Sequence, residues 1–198
     1  MADINDLLLT QEIDVGEVNP EAFFSINLPD DGPHTVILRL SSKGFIADRQ
    51  RDGKRGARIG PAYLGVNTQL VGWEDGQEAG TIAFDMLTTV PMQSGGSRLH
   101  AVFALAGFDI PTKGTLADIK TAVEAALAQN PVVVAHTRWE AQINRGSQDS
   151  PDYKTIAKGQ AAFPKYEGSE KHNPEITDPQ TGQTVNAQVR VYKYTRVE

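Results

Sequence analysis

Hydrophobic and polar positions change their period several times along this chain. From 34 to 41 (HTVILRLS) β-branched and aliphatic residues crowd together, with Val36, Leu38 and Leu40 on one face, which predicts a strand. The stretch 43–61 is dense in Gly, Arg and Lys without a hydrophobic period, and reads as a long loop. Alternation resumes over 62–73, placing Ala62, Leu64, Val66 and Leu70 inward and Tyr63, Asn67, Gln69 and Trp73 outward. A turn at Glu74, Asp75, Gly76 and Gln77 leads to a partner strand over 80–89, with Ile82, Phe84 and Met86 predicted inward.

The period then becomes helical. Leu99, Val102, Phe103 and Ala106 recur at helical spacing over 97–108, with Ser97 as N-cap. A second helix starts at Thr115, where Asp118 completes a capping box, and its stripe of Leu116, Ile119, Val123, Ala126 and Leu127 stops at Asn130-Pro131. Strand pattern returns over 132–144, with Val133, Ala135, Trp139, Ala141 and Ile143 on one face and His136, Arg138, Glu140 and Gln142 on the other. A segment rich in Gly, Pro and Lys follows over 145–182, in which only 155–163 offers a short strand. The stretch 184–195 closes the pattern, Val185, Ala187, Val189 and Val191 alternating with Asn186, Gln188, Arg190 and Tyr192.

Strand, long basic loop, strand, tight hairpin, strand, helices, strand, long loop, strand is the order of a five-stranded OB-like Greek-key barrel with its helices between strands 3 and 4. The expected fold is therefore β-rich α+β. It comprises an N-terminal extension, the acidic arm 1–31, and an OB-like binding domain, 32–198, with long loops 43–61 and 145–182. A β-sandwich or another α+β fold shares this strand count, because pairing is not written in the pattern.

Charge sharpens the division. The net charge is −6, but the first 38 residues hold eight acidic side chains and no Lys or Arg. The remaining 17 acidic residues face all 19 basic ones, so the body is formally +2. A body of that sign binds polyanions through local patches. Cysteine is absent, which excludes disulfides, thiol catalysis and cysteine-ligated zinc. No stretch has the length and apolarity to span a bilayer, and no basic segment leads into an apolar run near the N-terminus. A cytoplasmic protein without membrane contact is expected.

Candidate ligand contacts follow from the same map. Lys43, Arg49, Arg51, Lys54, Arg55 and Arg58 outnumber Asp48 and Asp52 in the first long loop, and Phe45 beside them is placed to stack on a base. The outward strand positions add Tyr63, Trp73, Tyr192 and Tyr194, with Arg39, Arg138 and Arg190. The segment 145–182 interleaves Lys154, Lys158, Lys165 and Lys171 with Tyr153, Phe163 and Tyr166. Structural explanations stand beside each: a solvated loop, aromatics covered by the arm, and Phe163 as an anchor for a long connection. Trp139 belongs to the core by its neighbours.

Catalysis is not signalled. His34, His100, His136 and His172 are dispersed, with no metal-ligand spacing, and His100 reads as a structural residue. The chain has no GxxxxGK[ST] phosphate loop and no GxSxG elbow. Ser94-Gly95-Gly96-Ser97 precedes a helix in a way that helix starts commonly do. No enzyme activity, cofactor or metal is expected.

The strand entry over 32–40, YLGVNTQLVGWEDGQEAG, LAGFDIPTKG, WEAQIN, KGQAAFP and the terminal AQVRVYKY resemble phage-encoded OB-fold single-stranded-DNA-binding proteins. The resemblance covers most of 32–195 in layout. It implies sequence-tolerant binding of single-stranded DNA in phage replication or recombination, no cofactor, replication or recombination proteins as partners, and a homo-oligomer in the host cytoplasm. Members of that family commonly end in an acidic tail; here the acid-rich segment is N-terminal, and the expectation is that it takes over that role or competes with DNA for the basic loop. The alternative is a phage structural or assembly protein using the same surfaces for protein–protein contacts.

Overall fold

Five long strands carry the fold of the computed structural model, which describes residues 4–24, 32–51, 57–92, 95–147, 149–158, 160, 163 and 174–198. In chain order the elements are α1 (Ile4–Leu9), β1 (Glu12–Asp14), α2 (Pro20–Phe23), β2 (Pro33–Arg51), β3 (Arg58–Glu74) and β4 (Gln77–Thr88). Then come α3 (Arg98–Leu105), β5 (Lys113–Thr115), α4 (Leu116–Leu127), β6 (Val132–Asn144), β7 (Tyr153–Ala157), β8 (Glu175–Thr177), β9 (Thr184–Asn186) and β10 (Gln188–Thr195).

The main sheet is antiparallel, in the order β10-β6-β2-β3-β4, with β7 added alongside β6. The edges β4 and β10 approach each other without a shared ladder, so the sheet curls but is not closed. One face holds Val36, Leu38, Leu64, Val66, Leu70, Leu87 and Val133, and α3 and α4 cover it with Leu99, Phe103, Leu116, Ile119 and Val123. Both helices start as their sequences dictate. The Ser97 hydroxyl accepts from the His100 N–H, and Thr115 and Asp118 form a reciprocal capping box. The β3–β4 turn has Asp75 and Gly76 at φ 49° and 78°, the paired positive values of a type I′ hairpin.

A second, smaller core gathers Trp139, Ala141, Ile143, Ile156, Phe163, Ile176 and Ala187 where β6, β7 and the β8–β9 pair meet. Arg145 donates two hydrogen bonds to the fully buried Asp178, at 3.0 and 2.8 Å, and so ties this unit to the end of β6. The N-terminal arm is built in. β1 pairs with β5, while Val15 and Phe24 are buried.

Four expectations are corrected. Within the stretch 43–61, 43–51 and 58–61 are strand and not loop: β2 continues to Arg51 and β3 begins at Arg58, Phe45 pairing with Val66 and Arg49 with Ala62. A register shift between Leu40 and Phe45 hides this periodicity, because the extra residues of a bulge break the alternation on one strand only. The segment 145–182 includes β7 and β8, so its described part is not a plain loop. On β4 the inward residues are Ala83 and Leu87, while Phe84 and Met86 are exposed. Tyr194 is not outward but 1% exposed, since a bulge between Val191 and Lys193 inserts one residue and brings both Val191 and Tyr194 to the core side.

Candidate nucleic-acid interface

Between the edges of β4 and β10 lies a groove of about 500 Å³, lined by Phe84, Asp85 and Met86 from β4, Gln188 and Arg190 from β10, Asn67 and Thr68 from β3, and Ser41 to Lys43 from the β2 bulge. A hollow of about 170 Å³ continues it past Gln188 and Arg190 to Glu140, Gln142 and Asn186. The groove exists because the edges are held together at one point and part beyond it. There Arg98, on the first turn of α3, donates to Asp85 Oδ2 through Nη2 at 2.7 Å and Nε at 3.2 Å, and to the Val191 carbonyl at 2.9 Å. The Tyr194 hydroxyl donates to the same Oδ2 at 2.8 Å. Arg98 thus bridges β4 to β10 in place of the missing ladder.

This latch is shielded from water by aromatic rings. The Arg98 guanidinium lies 5.3 Å from the Tyr194 ring centre and 5.7 Å from that of Phe24, and the two rings meet edge to face at 5.6 Å. Burial opposes the arginine's charge, but Asp85 and Tyr194 outweigh it and hold its pKa above the ordinary value. Burial, reinforced by the Asp85 charge, pushes the Tyr194 phenol well above its usual range.

The cations predicted from sequence divide into two groups. Arg39 pairs with Glu78, Arg58 with Asp48 at 3.2 Å, and Arg138 with Glu140, so these charges are largely spent within the molecule. Lys43, Arg51 and Arg190 have no carboxylate partner among the described residues, and Arg49 Nη1 meets only the Gly60 carbonyl, at 3.4 Å. Lys43 and Arg190 line the groove together. Lys54 and Arg55 lie outside the described residues, as do Lys165, Tyr166, Lys171 and His172.

The aromatics are redistributed as well. Phe45 packs against the main core beneath Lys120 of α4, whose Nζ is 4.9 Å from its ring centre. Tyr63 and Trp73 are half-buried on the outer side of β3. Tyr192 stacks against Arg138 at 5.7 Å and tilts toward His136 at 6.4 Å. Lys158 follows β7 and does not line the groove. Phe163 is the loop anchor that the sequence offered as its structural alternative.

Sequence reasoning missed Phe84, Met86, Asp85 and Gln188. Either alternate set of β4 looks plausible, since Ala83 and Leu87 are as apolar as Phe84 and Met86. Asp85 belongs to the inward set and made it look like the wet one. Its partner Arg98, 13 residues away, was the signal, and only folding shows that they meet. His100 is confirmed as structural in its contacts: its Nε2 donates to the Pro111 carbonyl at 2.9 Å and its Nδ1 accepts from the Ser97 hydroxyl at 2.7 Å. Burial lowers its pKa, favouring the neutral ring.

No protein-family model matches the chain, and no curated protein or solved structure matches it either. Among the described residues no cluster of three or more His, Asp or Glu could hold a metal, and no helix is long and apolar enough to cross a membrane.

Proposed function

We propose that this protein binds single-stranded DNA on an OB-like open barrel, with the β4–β10 groove and the β2–β3 hairpin as the binding surface. The observation that carries the reading is the groove itself. It combines two cations without carboxylate partners among the described residues, Lys43 and Arg190, with the exposed side chains of Phe84 and Met86. Flexible cations replace phosphate counterions, while an exposed ring accepts any base face, so the pairing suits a sequence-tolerant single strand.

The strand order supports the same reading. Counting β2, β3, β4, β6 and β10 as strands 1 to 5, the sheet runs 5-4-1-2-3, with α3 and α4 between strands 3 and 4. An OB barrel parted between its third and fifth strands has this order, and such barrels bind oligonucleotides across strands 2–3 and the loops after strands 1 and 4. The resemblance in layout to phage single-strand binders extends the proposal to replication or recombination, with self-association and partner proteins in the host cytoplasm.

The test is fluorescence anisotropy of a labelled oligo-dT, run across a salt series and against duplex competitor. Duplex-resistant binding that weakens steeply with salt is expected. Lys43→Ala and Arg51→Ala are each expected to reduce the salt slope by about one. Absence of binding at low salt overturns the reading. One observation favours a second one, protein–protein assembly: Ile46 on β2 and Phe84 and Met86 on β4 are exposed apolar side chains on the two strands that flank β3. Polymerisation rising with concentration in light scattering, without DNA, is its expected signature.

A further inference from the structure

Asp85 does two things at once, and the second has no structural purpose. All three donors of the latch converge on Oδ2: Arg98 Nε, Arg98 Nη2 and the Tyr194 hydroxyl. Oδ1 has no hydrogen-bond partner among the described residues, and it is not among their buried unsatisfied atoms. Asp85 itself lines the groove. A carboxylate oxygen is therefore held in place by Arg98 and Tyr194, without a hydrogen bond among the described residues, on a side chain that is not fully buried. The Gln188 amide and the cations Lys43 and Arg190 line the same groove, while the Phe84 ring leaves β4 from the opposite face.

We propose that Asp85 Oδ1 reads the exocyclic amino group of a nucleobase seated in the groove, so that binding favours cytosine over thymine. This rests on the single-strand reading above and adds a base preference to it. The groove's volume of about 500 Å³ suits a small ligand group. A fixed anionic acceptor welcomes an N–H donor and repels a carbonyl oxygen. Cytosine presents an amino group at C4 where thymine presents O4, and aspartate accepting from that amino group is an established pairing chemistry. The two pyrimidines have the same ring size, so packing in the groove hardly distinguishes them. Lys43 and Arg190 meanwhile offer charge to the flanking phosphates, which would otherwise be repelled by the same carboxylate.

Anisotropy titrations with oligo-dC and oligo-dT of equal length, at pH 8 where oligo-dC stays single-stranded, test this directly. The wild-type protein is expected to bind oligo-dC roughly fivefold or more tighter than oligo-dT. An oligonucleotide of N4,N4-dimethylcytosine, which has lost the donor, is expected to fall to the oligo-dT level. Asp85→Asn supplies the protein-side test. Its amide oxygen must stay with the donors Arg98 and Tyr194, which turns the amide NH2 toward the groove and is expected to abolish or reverse the preference. The modified oligonucleotide keeps the test decisive even if that variant folds poorly. Equal affinity of the wild-type protein for oligo-dC, oligo-dT and the dimethyl analogue overturns the base preference and leaves single-strand binding standing. Failure to bind any of the three overturns both.

Discussion

At the scale of single residues, the decisive group is Tyr194. Its ring fills the core against Phe24, and its hydroxyl shares Asp85 Oδ2 with Arg98. Tyr194→Phe keeps the ring and removes one hydrogen bond, so it is expected to cost about 1 kcal/mol at pH 8 in urea denaturation. The cost depends on pH in a defined direction. Folding raises the phenol's pKa above its ordinary 10.0, through burial first and the Asp85 charge second. The unfolded chain ionises first as the solution becomes alkaline, so stability is complete below pH 10 and falls as pH rises beyond it. The variant lacks this loss. The gap between the two proteins is therefore expected to narrow at pH 11, and a gap that widens would contradict the assignment.

Among the elements, helices were the most legible and edge strands the least. The start of α4 could be read from Thr115 and Asp118 alone, because a capping box is a local contact between residues three apart. Thr115→Ala is expected to cost about 1 kcal/mol of thermal or urea stability while leaving the proposed DNA binding unchanged. For β6 the alternation over 132–144 matches the strand, and Val133, Ala135, Trp139, Ala141 and Ile143 are buried as expected. For β4 and β10 a one-residue irregularity, and for β2 a longer bulge between Leu40 and Phe45, moves later side chains to the other face, and no local pattern announces it. The cations suffer the same limitation. Arg39 and Arg138 look available in the sequence, yet Glu78 on β4 and Glu140 two residues along neutralise them.

The molecule as a whole joins its acidic arm to the site. Phe24 closes over Arg98 and Tyr194, so the arm shields the latch that shapes the groove. Phe24→Ala is expected to cost about 3–5 kcal/mol in urea denaturation, as for a buried ring. Truncating the arm removes Val15 and Phe24 together, and so cannot by itself test whether its acidic residues compete with DNA. Replacing Glu12, Glu17 and Glu21, which are all exposed, by Gln tests that on a folded protein. Tighter oligo-dT binding at low salt is expected if the arm competes, and unchanged affinity removes the competition.

The sequence by itself determined what depends on neighbours along the chain: β-rich character, both capped helices, the β3–β4 turn, the inward face of β3 and β6, and the acidic segregation of the N-terminus. Tertiary structure alone decided which strands form the edges, which face of β4 meets the core, and which cations keep their charge for a ligand. The physical reason is range. Capping and turns are set within a few residues, whereas Asp85 meets Tyr194 across 109 positions and Arg98 reaches Val191 across 93. The groove is a product of those long-range bonds, because it opens where the latch between β4 and β10 ends.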